Sequence, residues 1–264
     1  MLGGSFQIAR IRGIPIRVHF TLVLFLPVIA LQLTGAVGWV ALSWGLLAAV
    51  SLFLSVALHE LGHSVVSQAK GCPVRDILLL PIGGIAQVTR LPERPRDEFL
   101  IALAGPLVSV ALYVIGYWGL APWADAAGQK HLAELLDVVG IINLQLALFN
   151  LLPSFPMDGG RMLRAWLTPK LGRLLATRIA ASLGKFMAVL FGLVGLWPPM
   201  SVMLVVIAVF IYSAAGAEYR MVVQQEMSRP PPPFPFAPWF SSPPETHRME
   251  ADDVTVSPPP YRRE

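Results

Sequence analysis

His59-Glu60-Leu61-Gly62-His63 sets two imidazoles four residues apart, with a carboxylate beside the first. On a helix, residues four apart share a face, so both rings can bind a single zinc ion. Glu60 is then placed to take a proton from water polarised by the ion and to return it to a leaving amine, the chemistry of a metalloprotease. The bland reading is a pair of ordinary helical histidines. The setting argues against it: the three ionisable groups close an uncharged, mostly apolar stretch, Val40 to Leu58. Such groups are costly inside a bilayer and, where they occur, mark function.

A catalytic zinc takes three protein ligands and keeps a fourth position open, so two histidines leave one ligand to be found. Asp158 is the best acidic candidate. It follows Asn150-Leu-Leu-Pro153-Ser-Phe-Pro156-Met at the end of another apolar span. The two prolines are expected to break that helix just before Asp158, and Gly159-Gly160 to keep the backbone irregular. Non-helical backbone at membrane depth survives only where it is buried in protein or lines a wet cavity. Asn150 carries an amide that can hold a substrate carbonyl or a developing oxyanion, whereas Asn143, two turns deeper, reads as helix packing.

The elements that must position these groups are set by composition. Of 264 residues, 55% are apolar and 14% charged, well below the quarter or so charged residues of a soluble domain. The fold class is an all-α polytopic membrane protein. Hydropathy places about six transmembrane helices near 18–35, 39–68, 98–120, 136–152, 178–197 and 200–217, in contact with the lipid bilayer. Lysines and arginines gather in the loops on one side, from Arg10, Arg12 and Arg17 through Lys70 to Arg96 and then Arg161 to Lys185, with only Lys130 opposite. That asymmetry predicts both termini, and the ends of the second and fourth spans, in the cytoplasm, with the chain in the cell (inner) membrane. Asp125, Glu134 and Asp137 then fall on the side away from His59 and His63. His19, near the end of the first span, reads as interfacial rather than as a ligand.

The same distribution excludes nucleic acid as a partner, because the net charge of +4 is scattered among short loops. One cysteine, Cys72, excludes a disulfide framework and a four-cysteine metal site. The basic, then apolar, N-terminus is read as an uncleaved first span, led in by a short extended Gly13-Ile14-Pro15-Ile16, rather than a signal peptide.

Between the second and third spans, Ile77–Leu80 and Ile85–Thr89 flank Pro81-Ile82-Gly83-Gly84, the pattern of a β-hairpin on the cytoplasmic side. Its edge would lie near the metal and could pair with an extended peptide, which makes Gly83 and Gly84 substrate-contact candidates. Asp97-Glu98 suits the N-terminus of the third helix, and Ala102, Ala104 and Gly105 allow close packing in lipid, with Pro106 expected to kink it. From Ser228 onward there are eleven prolines and little periodicity. The domain reading is a transmembrane metalloprotease core over 1–220 and a disordered, Pro-rich cytoplasmic tail over 221–264.

With His59-Glu60-Leu61-Gly62-His63 and Asn150-Leu-Leu-Pro153-Ser-Phe-Pro156-Met-Asp158-Gly159 both in hand, the chain resembles the site-2 protease family of intramembrane zinc metalloproteases, over about Gly13 to Gly216. The Gly83-Gly84 turn and Ala104-Gly105-Pro106 look like family features too. The resemblance implies that His59, His63 and Asp158 bind one catalytic zinc per chain, that Glu60 activates the water, and that Asn150 helps hold the scissile segment. It implies a transmembrane protein substrate: single-span proteins such as anti-sigma factors or other membrane-tethered regulators, cut in or near the membrane after a first protease has trimmed the far side. Met157 stands where leucine is common, a volume-conserving change expected to be silent. The chain departs in its accessories, with linkers too short for the PDZ domain of many relatives and a tail too short and proline-rich for the paired nucleotide-binding modules of others. Two rival classes remain, a non-catalytic zinc-binding membrane protein and a metal transporter. Glu60 argues against the first, since a structural site needs no base. Confinement of the ionisable cluster to one depth argues against the second.

Overall fold

Thirteen segments of regular structure follow one another in a computed structural model that describes residues 4–34, 38–89, 92, 94–198 and 200–228. They are β1 (Ser5–Ile11), β2 (Ile14–His19), α1 (Phe20–Thr34), α2 (Trp39–Ala69), β3 (Val74–Leu80), β4 (Gly83–Val88), α3 (Pro95–Tyr113), a π-helical stretch (Val114–Leu120), α4 (Ala121–Ala126), α5 (Lys130–Asn150), α6 (Asp158–Leu171), α7 (Arg173–Leu196) and α8 (Val202–Met227).

Among the described residues five helical runs are long and apolar enough to cross a membrane: α2, the run Pro95–Ala126, α5, α7 and α8. The chain is an integral, multi-pass membrane protein. The first of the six expected spans, 18–35, is met by a shorter apolar helix. Val18 and His19 belong to β2, where Val18 lies in register with Leu79 of β3. What remains is α1, 15 residues with Pro27 inside, or about 22 Å of helix against a hydrocarbon core of about 30 Å. At the other end, α8 continues through residue 220 to Met227. The expected tail beyond Ser228 lies outside the described residues.

The expected hairpin forms, as β3 and β4, with Leu80 paired to Gly83 across a two-residue loop. It is half of a four-stranded sheet in the order β1-β2-β3-β4. The N-terminal lead-in is itself a hairpin. Ile11 pairs with Ile14, and the two residues between them, Arg12 (φ 51°) and Gly13 (φ 83°), both have positive φ, as a type I′ turn requires. β2 runs parallel to β3, with Ile16 opposite Ile77. Alternation on β2 turns Ile14, Ile16 and Val18 inward, where they meet Ile77 and Leu79 and cover Phe53, Val56 and Ala57 of α2. The sheet is thereby packed beside the turns of α2 that carry His59 and Glu60.

α2 and α3 approach closely through small residues on both sides. A Cβ on Gly62 would come within 2.8 Å of Val108 Cγ2, and one on Gly105 within 2.6 Å of His59 Nε2. Pro106 does not end α3, which runs on to Tyr113. Deeper in the bundle Asn143 of α5, fully buried, donates to Ser55 Oγ of α2 at 2.8 Å, the packing role expected of it.

The segment after α5 departs from expectation. Irregular backbone is confined to Leu151–Met157, and Asp158, Gly159 and Gly160 open α6. The two glycines serve contact rather than irregularity. A Cβ on Gly159 would strike the carbonyls of Leu151 and Leu152, and one on Gly160 the backbone of Ser154 and Phe155. The chain folds back onto itself here, and only bare glycine lets the helix start so close to the loop that precedes it.

Candidate metal centre

His59 and His63 lie in the last three turns of α2 and Asp158 at the first residue of α6, 99 and 95 positions further along the chain. All three are buried, with 3%, 5% and 8% of their surface exposed. Their facing atoms form a near-equilateral triangle: His63 Nε2 to His59 Nε2 is 3.1 Å, His59 Nε2 to Asp158 Oδ2 3.1 Å, and His63 Nε2 to Asp158 Oδ2 3.0 Å.

The opposite ring nitrogens show what these atoms present to one another. His63 Nδ1 lies 2.6 Å from the carbonyl oxygen of Ile101 in α3. A carbonyl only accepts, so Nδ1 carries the proton and Nε2 points a lone pair at the triangle. His59 Nδ1 is held 2.9 Å from Ser109 Oγ, also of α3. The Ser109 hydroxyl can donate or accept, so it leaves His59 free to present a lone pair from Nε2 as well. Two imidazole lone pairs with a carboxylate oxygen at about 3 Å are the arrangement a shared cation relieves. A tetrahedral zinc with bonds of about 2.0 Å would separate its ligands by roughly 3.3 Å. The donor set, the spacing and the histidines anchored through their outer nitrogens all fit that ion. Among the described residues this is the one group of three or more metal-ligating side chains gathered closely enough to hold a metal.

Glu60 interacts electrostatically with His63, His59, Asp158 and Arg161. Gly84, at the start of β4, packs against it: a Cβ there would stand 2.6 Å from Glu60 Cγ and 3.0 Å from Val56 Cγ1. Gly83, with φ 131°, turns the chain into β4 and has no close neighbour where a Cβ would project. β4 is a terminal strand of the sheet among the described residues, so one rank of its backbone N–H and C=O groups is unused by the ladder. Asn150 ends α5 with its amide donated to Leu146 O at 3.0 Å, within its own helix, and so the structure does not tie it to the triangle. His19 sits apart, with Nδ1 2.7 Å from Thr21 Oγ1.

Several residues that shape the site carried no clear signal in the sequence. Ile101 acts through its backbone. Ser109 was one small hydroxyl among the apolar residues of α3. Arg161 and Arg164 read in the sequence only as markers of one side of the membrane. Arg164 is 1% exposed; it donates from Nε to Glu98 Oε1 at 2.7 Å and from Nη1 to Glu218 Oε1 at 2.8 Å, and its guanidinium lies 4.9 Å from the Phe155 ring centroid. These contacts join α6 to α3, α8 and the loop before Asp158. Lys70, just past α2, pairs with Asp97 of α3 at 3.0 Å.

The sequence matches peptidase family M50 over residues 47–129 and 120–194. It is similar to a zinc metalloprotease of Methanocaldococcus jannaschii, 41% identical over 220 residues, which make up 83% of this chain and 61% of that protein. It is also similar to stage IV sporulation protein FB of Bacillus subtilis, 31% identical over 69% of this chain and 64% of that one. The chain thus spans somewhat under two thirds of the length of these relatives. The solved structure of a site-2 protease from Methanocaldococcus jannaschii superposes with a TM-score of 0.61 at 37% identity, covering 82% of this chain and 95% of that one.

Proposed function

The chain belongs to the site-2 proteases of peptidase family M50, and we propose that it is an intramembrane zinc metalloprotease, hydrolysing a peptide bond in or near the membrane-spanning segment of single-span proteins. The observation that carries this reading is the buried triangle of His59, His63 and Asp158 with Glu60 beside it. His59, His63 and Asp158 hold the metal, and zinc bound there supplies Lewis acidity. Glu60 takes a proton from the attacking water and delivers it to the leaving amine. A helical substrate has its carbonyls already bonded, so its scissile stretch must unwind before it can react. The free edge of β4 offers it a strand to pair with, and bare Gly83 and Gly84 allow a peptide backbone to come close to Glu60. Asn150 can turn its amide from Leu146 toward the substrate carbonyl.

The excess of lysine and arginine in the loops on one side supports a cytoplasmic position for the metal-bearing ends of α2 and α6, and the likeness to site-2 proteases supports membrane-tethered regulators such as anti-sigma factors as the substrate class. α2 has 31 residues, about 46 Å of helix, and so exceeds the hydrocarbon core by roughly 16 Å. Its last turns can therefore meet water while its first remain in lipid.

Co-expression of the chain with a tagged single-span protein, comparing wild type with Glu60→Gln, tests the reading. The tagged protein should be cut only by wild type, while both forms retain zinc. Equal processing by the two would sink the proteolytic mechanism.

A further inference from the structure

The proposed reaction moves negative charge. As water adds to the carbonyl carbon, its proton passes to Glu60 and the electron pair of the C=O bond moves onto oxygen. The charge leaves the Glu60 carboxylate and reappears on the substrate. Collapse restores the C=O bond, breaks the C–N bond, and returns the proton from Glu60 to the amine. A cation or donor already in place where the charge arrives lowers the barrier without reorganisation. Asn150, once its amide has turned from Leu146 O, supplies one neutral donor to the carbonyl, which leaves the arriving negative charge without a cation.

Arg161 occupies the remaining place. It sits one turn into α6, three residues after Asp158, and its Nη1 lies 4.0 Å from Asp158 Oδ1. That oxygen is the one turned away from the histidines, since Oδ2 faces both rings. A separation of 4.0 Å is too long for a hydrogen bond, and no other partner of Arg161 occurs among the described residues. The side chain is 25% exposed, unlike Arg164, whose guanidinium is buried and held by Glu98 and Glu218. The positive charge of Arg161 thus stands one helical turn from the carboxylate that completes the triangle, on the side of that carboxylate away from the imidazoles. Its five N–H donors form a fork suited to an oxyanion.

We propose that Arg161 is a catalytic residue whose guanidinium donates to the scissile carbonyl oxygen as that oxygen becomes anionic. This rests on the proteolytic reading above. The test uses the full-length, zinc-loaded chain in detergent, a single-span peptide carrying a fluorophore and quencher on either side of its apolar stretch, and a phosphonate analogue of that peptide whose anionic tetrahedral group mimics the adduct. In R161Q, kcat should fall by about 100- to 1,000-fold with KM little changed, and zinc should stay at the wild-type ratio. Binding of the phosphonate should weaken by a similar factor while binding of the uncleaved parent peptide to the Glu60→Gln background is unaffected. R161K, which keeps the charge but loses the fork, should recover part of the loss. Wild-type kcat in R161Q overturns the proposal, as does loss of zinc, which would make Arg161 a support for Asp158. Equal weakening of phosphonate and parent peptide overturns it as well. If wild type and Glu60→Gln both leave the peptide intact, it is the proteolytic reading that fails, and this proposal with it.

Discussion

At the scale of single residues, the site is shaped as much by missing atoms as by present ones. Gly105 faces both imidazoles across the α2–α3 contact, and Gly84 faces Glu60 from β4. Gly105→Ala would thrust a methyl group between α3 backbone and two rings whose outer nitrogens are already fixed by Ile101 and Ser109. We expect it to lose zinc, read as a metal-to-protein ratio well below that of wild type in chain that still inserts into membranes. Gly84→Ala meets a flexible carboxylate arm instead. It should keep zinc and lower kcat by displacing Glu60. Swapped outcomes, with Gly84→Ala losing the metal and Gly105→Ala keeping it, would mean that the two glycines do not divide the site in this way.

At the scale of elements, α3 aligns the two helices that bear the triangle. It supplies Ile101 O and Ser109 Oγ to α2, pairs Asp97 with Lys70, and pairs Glu98 with Arg164 of α6. Breaking a buried ion pair from one side leaves the other charge unmatched, at a cost of about 3–5 kcal/mol. Arg164→Met should therefore lower the unfolding midpoint in a denaturant titration, and Arg164→Met with Glu98→Gln should recover part of the loss. An unchanged midpoint in the single variant would show that the pair is not structural.

The sequence made the long, uniformly apolar helices legible, because twenty apolar residues have few alternatives in a bilayer. It made the His59-to-His63 pair legible through its four-residue spacing, and Asp158 through its place after a proline-broken span on the same side. It hid whatever depends on distant partners. β1 and β2 are short and find their neighbours only through the fold, so Val18 counted toward a span that α1 does not fill. Gly159 and Gly160 were read by local propensity, which favours irregular backbone, whereas the close return of Leu151–Phe155 makes them the only residues that fit a helix there.

At the scale of the whole molecule, the metal would cross-link α2 to α6 and so tie together halves of the bundle that meet otherwise through α3. Binding to the folded state alone stabilises it by about 2.7 kcal/mol at a free zinc concentration one hundred times Kd. Removing zinc with a chelator should thus abolish cleavage and lower the unfolding midpoint together, and adding zinc back should restore both. A midpoint indifferent to chelation would place the metal outside the fold's support.

The distance along the chain between the histidines and Asp158 also sets a timetable for biosynthesis. Asp158 is made 95 residues after His63, a delay of roughly 5–20 s at ordinary rates of translation. Ile101 is made only 38 residues after His63, so the nascent protein can fix the imidazole's proton well before the third ligand exists. Until α6 emerges, His59 and His63 lack the carboxylate that completes the triangle. A three-ligand metal site can therefore close only once the start of α6 has been made, with α7 and α8 still to follow.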